Sequence, residues 1–108
     1  MKHYQKYLEM CRHPAIQALQ PTPDNTKNPW IPTLEELKQL LIQKLPYPER
    51  SNFHKTDDGW KYETYFKEYA ADYGSYIDTY RQFVGDDPKL LLLQVLTALL
   101  GIEGRWMV

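Results

Sequence analysis

The sequence predicts a mostly α domain of four to five helices, and three stretches predict it. Residues 33–45, TLEELKQLLIQKL, line up Leu34, Leu37, Leu41 and Leu45 on one helical face. Residues 88–100, PKLLLLQVLTALL, are apolar on nearly every side, the pattern of a buried central helix. Residues 60–84 carry Tyr62, Phe66, Tyr69, Tyr73, Tyr76, Tyr80 and Phe83 at alternating spacings of four and three, the recurrence of one helical face.

Taken in order, residues 2–13 read as a short helix with Tyr4, Tyr7, Leu8 and Cys11 on one side. Pro14 biases His13 away from the helical region and suits the first position of a second short turn, PAIQAL, anchored by Ile16 and Leu19. Residues 20–32 hold four prolines and form a loop, with Trp30 and Ile31 expected to dock on the core. Thr33 followed three residues on by Glu36 is a capping box for the next helix, which Pro46 and Pro48 end. Residues 46–58 are a second Pro-bearing polar loop in which Phe53 is a single anchor, and Asp57 or Asp58 is placed to cap the next helix.

The aromatic segment then reads as one bent helix, or two meeting near Gly74 and Ser75. An alternative stays open. Trp60, Tyr62, Thr64 and Phe66 alternate with Lys61, Glu63, Tyr65 and Lys67, so a Trp60–Val84 hairpin turning at ADYGS would make the fold α+β. Gly85 suits a helix end, Asp86 or Asp87 a new cap with Pro88 behind it, and Gly101 the end of the last helix. Leu92, Val95, Leu96 and Leu99 are expected core residues, and Trp106 is expected to pack back on the fold.

With 108 residues, the chain suits one domain spanning 1–108. A net charge of −1 gives no electrostatic footprint for nucleic acid or an anionic membrane. The longest apolar run, Leu90–Leu100, falls short of the roughly 20 residues a span needs. A single cysteine, Cys11, excludes an internal disulfide and suits a reducing compartment, and MKHYQKYLEM lacks the apolar run of a secretion signal. The expected location is the cytoplasm.

Candidate chemistry is thin. Cys11, His13 and His3 are too few and too poorly spaced for a zinc site, and Cys11 with His13 lacks an orienting acid for nucleophilic catalysis. Enzymes resembling the MazG family of all-α nucleotide pyrophosphohydrolases hold Mg²⁺ with an EExxE helix and a later ExxD helix. Here Glu35 and Glu36 are followed by Gln39, and Glu68 and Asp72 are four apart, so the cage is incomplete on both helices. Lysines alternate with tyrosines around residues 60–69, but Glu63, Glu68, Asp72 and Asp78 would repel phosphate.

Three segments, YLEMCRHPAIQ, WIPTLEELKQLL and a Leu-rich helix followed by GRW, are similar in order to a group of small phage and prophage proteins. The middle segment departs from that group's more polar wording. The resemblance implies an accessory protein made in a bacterial cell during infection or lysogeny, and it carries over no functional residue.

The expectation is therefore a non-enzymatic binding protein, without cofactor or metal. Its partner is a protein: a host protein, such as a component of a CRISPR or other anti-phage system, or a second copy in a homodimer. The other readings are a small-molecule or nucleotide binder or an all-α nucleotide pyrophosphohydrolase-like protein, with the aromatic stripe lining a pocket, and a virion assembly protein. The expected interface is Tyr73, Tyr76 and Tyr80 with Arg81 beside them, rimmed by Asp72 and Asp78, because Tyr and Arg dominate binding hot spots.

Overall fold

The computed structural model describes residues 4–20 and 29–102. The expected docking of Trp106, the histidine at position 3 and most of the loop at 20–32 lie outside them. Helices α1 (Tyr4–Cys11), α2 (Pro14–Gln17) and α3 (Leu34–Lys44) come first. A 3-10 turn (Pro48–Arg50) leads into strands β1 (Asn52–Thr56), β2 (Gly59–Ala70) and β3 (Ser75–Gly85), and α4 (Pro88–Leu99) follows. The strands form one antiparallel sheet in the order β1-β2-β3.

The fold is thus α+β, and the mostly α expectation is corrected. The segment expected to be a helix is the β2–β3 hairpin. Its aromatic and β-branched composition suits a pleated, half-buried surface, and its alternation puts Tyr62, Thr64 and Phe66 in the interior while Lys61, Glu63 and Tyr65 point away. Gly74 does not bend a helix; at φ 63° it closes the hairpin turn, a conformation that costs glycine nothing. The loop expected at 46–58 is likewise corrected, since it holds the 3-10 turn and β1. Phe53 pairs directly with Tyr62 and stacks on Trp60 at 5.0 Å. Asp57 and Asp58 make the turn into β2 rather than a helix cap. Gly59 follows at φ 152°, where an added Cβ would lie 2.5 Å from the Gly85 carbonyl oxygen, so only glycine lets the two strands approach here.

Helix α4 is the centre of the core. The Asp87 carboxylate accepts from the Lys89 and Leu90 amides at 3.0 and 3.2 Å, with Pro88 in the first turn. Its far end is a Schellman turn: Gly101 donates to Ala98 and Ile102 to Thr97, while the Ile102 side chain folds back into the core. Leu92, Val95 and Leu96 are completely buried as expected, with Leu99 at the margin. One side of α4 covers β2 and β3, and α3 and α1 pack on other parts of it.

Helix α3 carries the capping box as expected. Thr33 Oγ1 accepts from the Glu36 amide at 3.2 Å and Glu36 Oε1 from the Thr33 amide at 2.9 Å. The N-terminal helices are tied to the chain before α3 by Gln17, whose side-chain amide pairs with both backbone groups of Trp30 at 2.8 Å. Trp30 packs against the core, whereas Ile31, expected to do the same, is exposed. The buried Tyr7 hydroxyl donates to the Pro32 carbonyl at 2.6 Å, and burial raises its pKa strongly.

Candidate functional site

The seven aromatics read as one stripe are divided by the sheet. Tyr62, Phe66 and Phe83 face α4. Tyr69, Tyr76 and Tyr80 face the opposite way, and Tyr73 sits in the turn. A strand presents alternate residues to opposite faces, so spacings of three and four distribute residues between the faces as well as along them.

On the outer face, directly facing residues of β2 and β3 form two tyrosine pairs. Tyr65 meets Tyr80 edge-on at 5.6 Å and Tyr69 meets Tyr76 at 5.5 Å, both in the favourable T-shaped arrangement. Between them Lys67 faces Asp78. The chain entering β1 folds around the free edge of β2 to reach this face. The Tyr47 hydroxyl donates to Asp78 Oδ1 at 3.0 Å, and the Arg50 guanidinium lies 4.1 Å from the Tyr65 ring centre and 5.4 Å from that of Tyr47. The Tyr80 hydroxyl donates to Glu63 Oε1 at 2.7 Å. That hydrogen bond lowers the Glu63 pKa and raises that of Tyr80. Tyr69 and Tyr76 nevertheless keep 62% and 70% of their surface in water, and residues 71–78 are all exposed. Aromatic surface is anchored on paired strands and left uncovered by the described residues.

Of the expected interface residues, Tyr76 and Tyr80 share this strand face, and Tyr73 and Asp72 lie at its tip. Asp78 lies among the tyrosines rather than at their rim. Arg81 is on the other side of the sheet. Its guanidinium binds Glu68 at 2.8 Å and lies over Phe66 and Phe83 at 5.0 and 5.7 Å, covering the edge of the core. Sequence reasoning missed Tyr47, Arg50, Tyr65 and Tyr69, and the guanidinium beside the tyrosines is that of Arg50.

The alternative chemistries meet specific obstacles. The Cys11 thiol is fully buried, and burial pushes its pKa up to about 11, away from the thiolate a nucleophile needs. His13 Nδ1 accepts from the Ala15 amide at 3.1 Å and serves as the N-cap of α2. Glu36 completes the capping box and Glu35 pairs with Lys38 at 3.3 Å, while Glu68 and Asp72 stand on the hairpin, not on a helix. Among the described residues no three His, Cys, Asp or Glu side chains are grouped to hold a metal ion. A hollow beside α3 is lined by Glu35, Glu36, Gln39 and Leu40, and among the described residues no cation lines it to meet a phosphate group. Among the described residues no helix is long and apolar enough to cross a membrane.

Compared with family models, with curated proteins and with solved structures, the chain finds no match.

Proposed function

We propose that this chain is a non-enzymatic binding protein that docks a protein partner on the outer tyrosine face of its hairpin. The observation that carries this is the pair of edge-to-face tyrosine contacts held in solvent, Tyr65–Tyr80 and Tyr69–Tyr76. Each ring is already oriented by its neighbour, so little rotamer freedom is lost on binding. Arg50 supplies the other residue type enriched at hot spots. Lys61, Lys67 and Arg50 are interspersed with Glu63 and Asp78 on the same face, which favours a protein surface of mixed charge over a nucleic acid backbone. The resemblance of YLEMCRHPAIQ and WIPTLEELKQLL to phage accessory proteins adds the context: a cytoplasmic protein of the infected cell whose partner is a host protein, a defence component in the sharpest form of the reading.

A photo-reactive amino acid at Lys67, exposed between the two tyrosine pairs on the outer face, should cross-link that partner in bacterial lysate. Tyr69→Ala and Tyr76→Ala should each weaken its capture about thirtyfold, the effect of losing a hot spot of about 2 kcal/mol, while the thermal melt stays close to the parent's. Capture unchanged in both variants, or tight binding of single-stranded oligonucleotides abolished by them, would overturn the proposal.

A further inference from the structure

Strand β3 is an edge. Among the described residues nothing pairs with its outer side, and its residues Ser75–Gly85 pair with β2 in unbroken register. Proteins blunt such edges with proline, charged side chains, bulges or a covering segment. The sequence SYIDTYRQFVG has no proline and the register shows no bulge, and its two charges, Asp78 and Arg81, are engaged within the chain by Tyr47 and Glu68. The opposite edge is treated differently. There β1 is short, and beyond it the 3-10 turn closes on β2, with the Ser51 and Thr64 hydroxyls 2.7 Å apart and Lys67 near the Tyr47 ring. Tyr76, Ile77, Tyr80 and Val84, four large apolar side chains left exposed, all lie on β3.

We propose that two copies of this chain pair antiparallel along β3 about a two-fold axis at Tyr80, continuing one sheet across both. An axis perpendicular to the sheet keeps both α4 helices on the same side, so only residues of the same face can oppose each other. Centring on Asp78 would set two carboxylates face to face, and centring on Arg81 two guanidiniums. Centring on Thr79 would put Arg81 against the partner's Ile77. Centring on Tyr80 leaves no like charges opposed. It sets Ile77 against the partner's Phe83, Tyr76 against the partner's Val84, Asp78 against the partner's Gln82, and the two Tyr80 rings together. Ile77 and Val84, 41% and 64% exposed, each gain an apolar neighbour. The outer tyrosine faces of both copies then join into one surface.

Sedimentation equilibrium of the whole chain should show a concentration-dependent dimer, and cysteine cross-linking fixes the register. Facing residues on paired strands have Cα atoms about 4.5–5.5 Å apart, within disulfide range. Under mild oxidation Tyr80→Cys should link to itself. Asp78→Cys and Gln82→Cys should each stay unlinked alone and link when mixed. Buried Cys11 stays out of this reaction. Gln82→Lys, facing the partner's Asp78 at two symmetric points, should tighten the dimer roughly two- to tenfold at low salt, and Gln82→Glu should loosen it. Both Gln82 substitutions are exposed and decide the matter if Tyr80→Cys folds poorly. A monomer at every concentration, or a dimer that cross-links only at other positions, would overturn the proposal. Neither result would touch partner binding through Tyr69 and Tyr76.

Discussion

The two faces of the β2–β3 hairpin carry the same kinds of side chain and do opposite things with them. On the inner face Tyr62 and Phe66 are 7% and 6% exposed against α4. On the outer face Tyr69 and Tyr76 remain mostly in water, each with the other ring for company. Composition separates the two sets only in part: both phenylalanines are inner and the outer rings are all tyrosine, but Tyr62 is inner too. What differs is parity along the strand, and whether a helix stands opposite. The inner rings exchange water for Leu92, Leu96 and their neighbours and stabilise the fold. The outer rings contribute little to folding, which leaves their surface available for association.

Changes on the two faces should therefore differ sharply in kind. Phe66→Ala has the largest expected effect. It removes a buried ring that also supports Phe83 and the Arg81 guanidinium, and should lower stability by about 3–5 kcal/mol, read from denaturant melts. A loss under about 1 kcal/mol would mean the inner face is not packed as described. Tyr76→Ala comes next. It forfeits one edge-to-face pair, worth about 0.5–1.5 kcal/mol, so its melt should stay near the parent's. A collapse of stability there would erase the contrast and make the outer tyrosines structural.

The smallest effect is electrostatic. The hydrogen bond from Tyr80 holds the Glu63 carboxyl below the usual value of about 4.3. A lowered folded pKa contributes stability that is present above pH about 4.3 and fades as pH falls through the lower folded value. For Tyr80 the shift is upward, so the contribution is present below pH about 10 and lost as pH rises through the raised folded value. An NMR titration of Glu63 should give a midpoint below 4.3 that returns towards it in Tyr80→Phe. An unchanged midpoint would show that the hydroxyl does not hold Glu63 in solution.

Much of the helical half was legible. The Thr33–Glu36 box, the Asp87–Pro88 start, the Gly101 end and the burial of Leu92, Val95 and Leu96 all stand where local signals put them. These signals act within one turn of the chain, between residues that touch whatever the rest of the protein does. The hairpin was misread because spacings of four and three satisfy a helix, and the competing alternation of Trp60 to Lys67 covered only its first third. One signal could have decided it. Folded between Asp72 and Tyr73, the segment brings Tyr62 to Phe83, Tyr65 to Tyr80 and Tyr69 to Tyr76, three aromatic matches that a cross-strand ladder rewards and a helix does not.

By itself, then, the sequence determined the ends of α3 and α4, the burial of Leu92, Val95 and Leu96, and that the middle of the chain carries more aromatic surface than a small core needs. Only the tertiary structure decided which aromatics those are. Tyr62, Phe66 and Phe83 are core because α4 lies across one face of the sheet, and Tyr65, Tyr69, Tyr76 and Tyr80 form the candidate site because no helix among the described residues lies across the other, where Tyr47 and Arg50 reach over from one edge. Arg81 obeys the same logic, drawn to Glu68 on the inner side while Arg50 arrives from a distant turn to take its expected place. A side chain's face is set by strand register, and register is fixed by long-range pairing and by the helix that packs on the result.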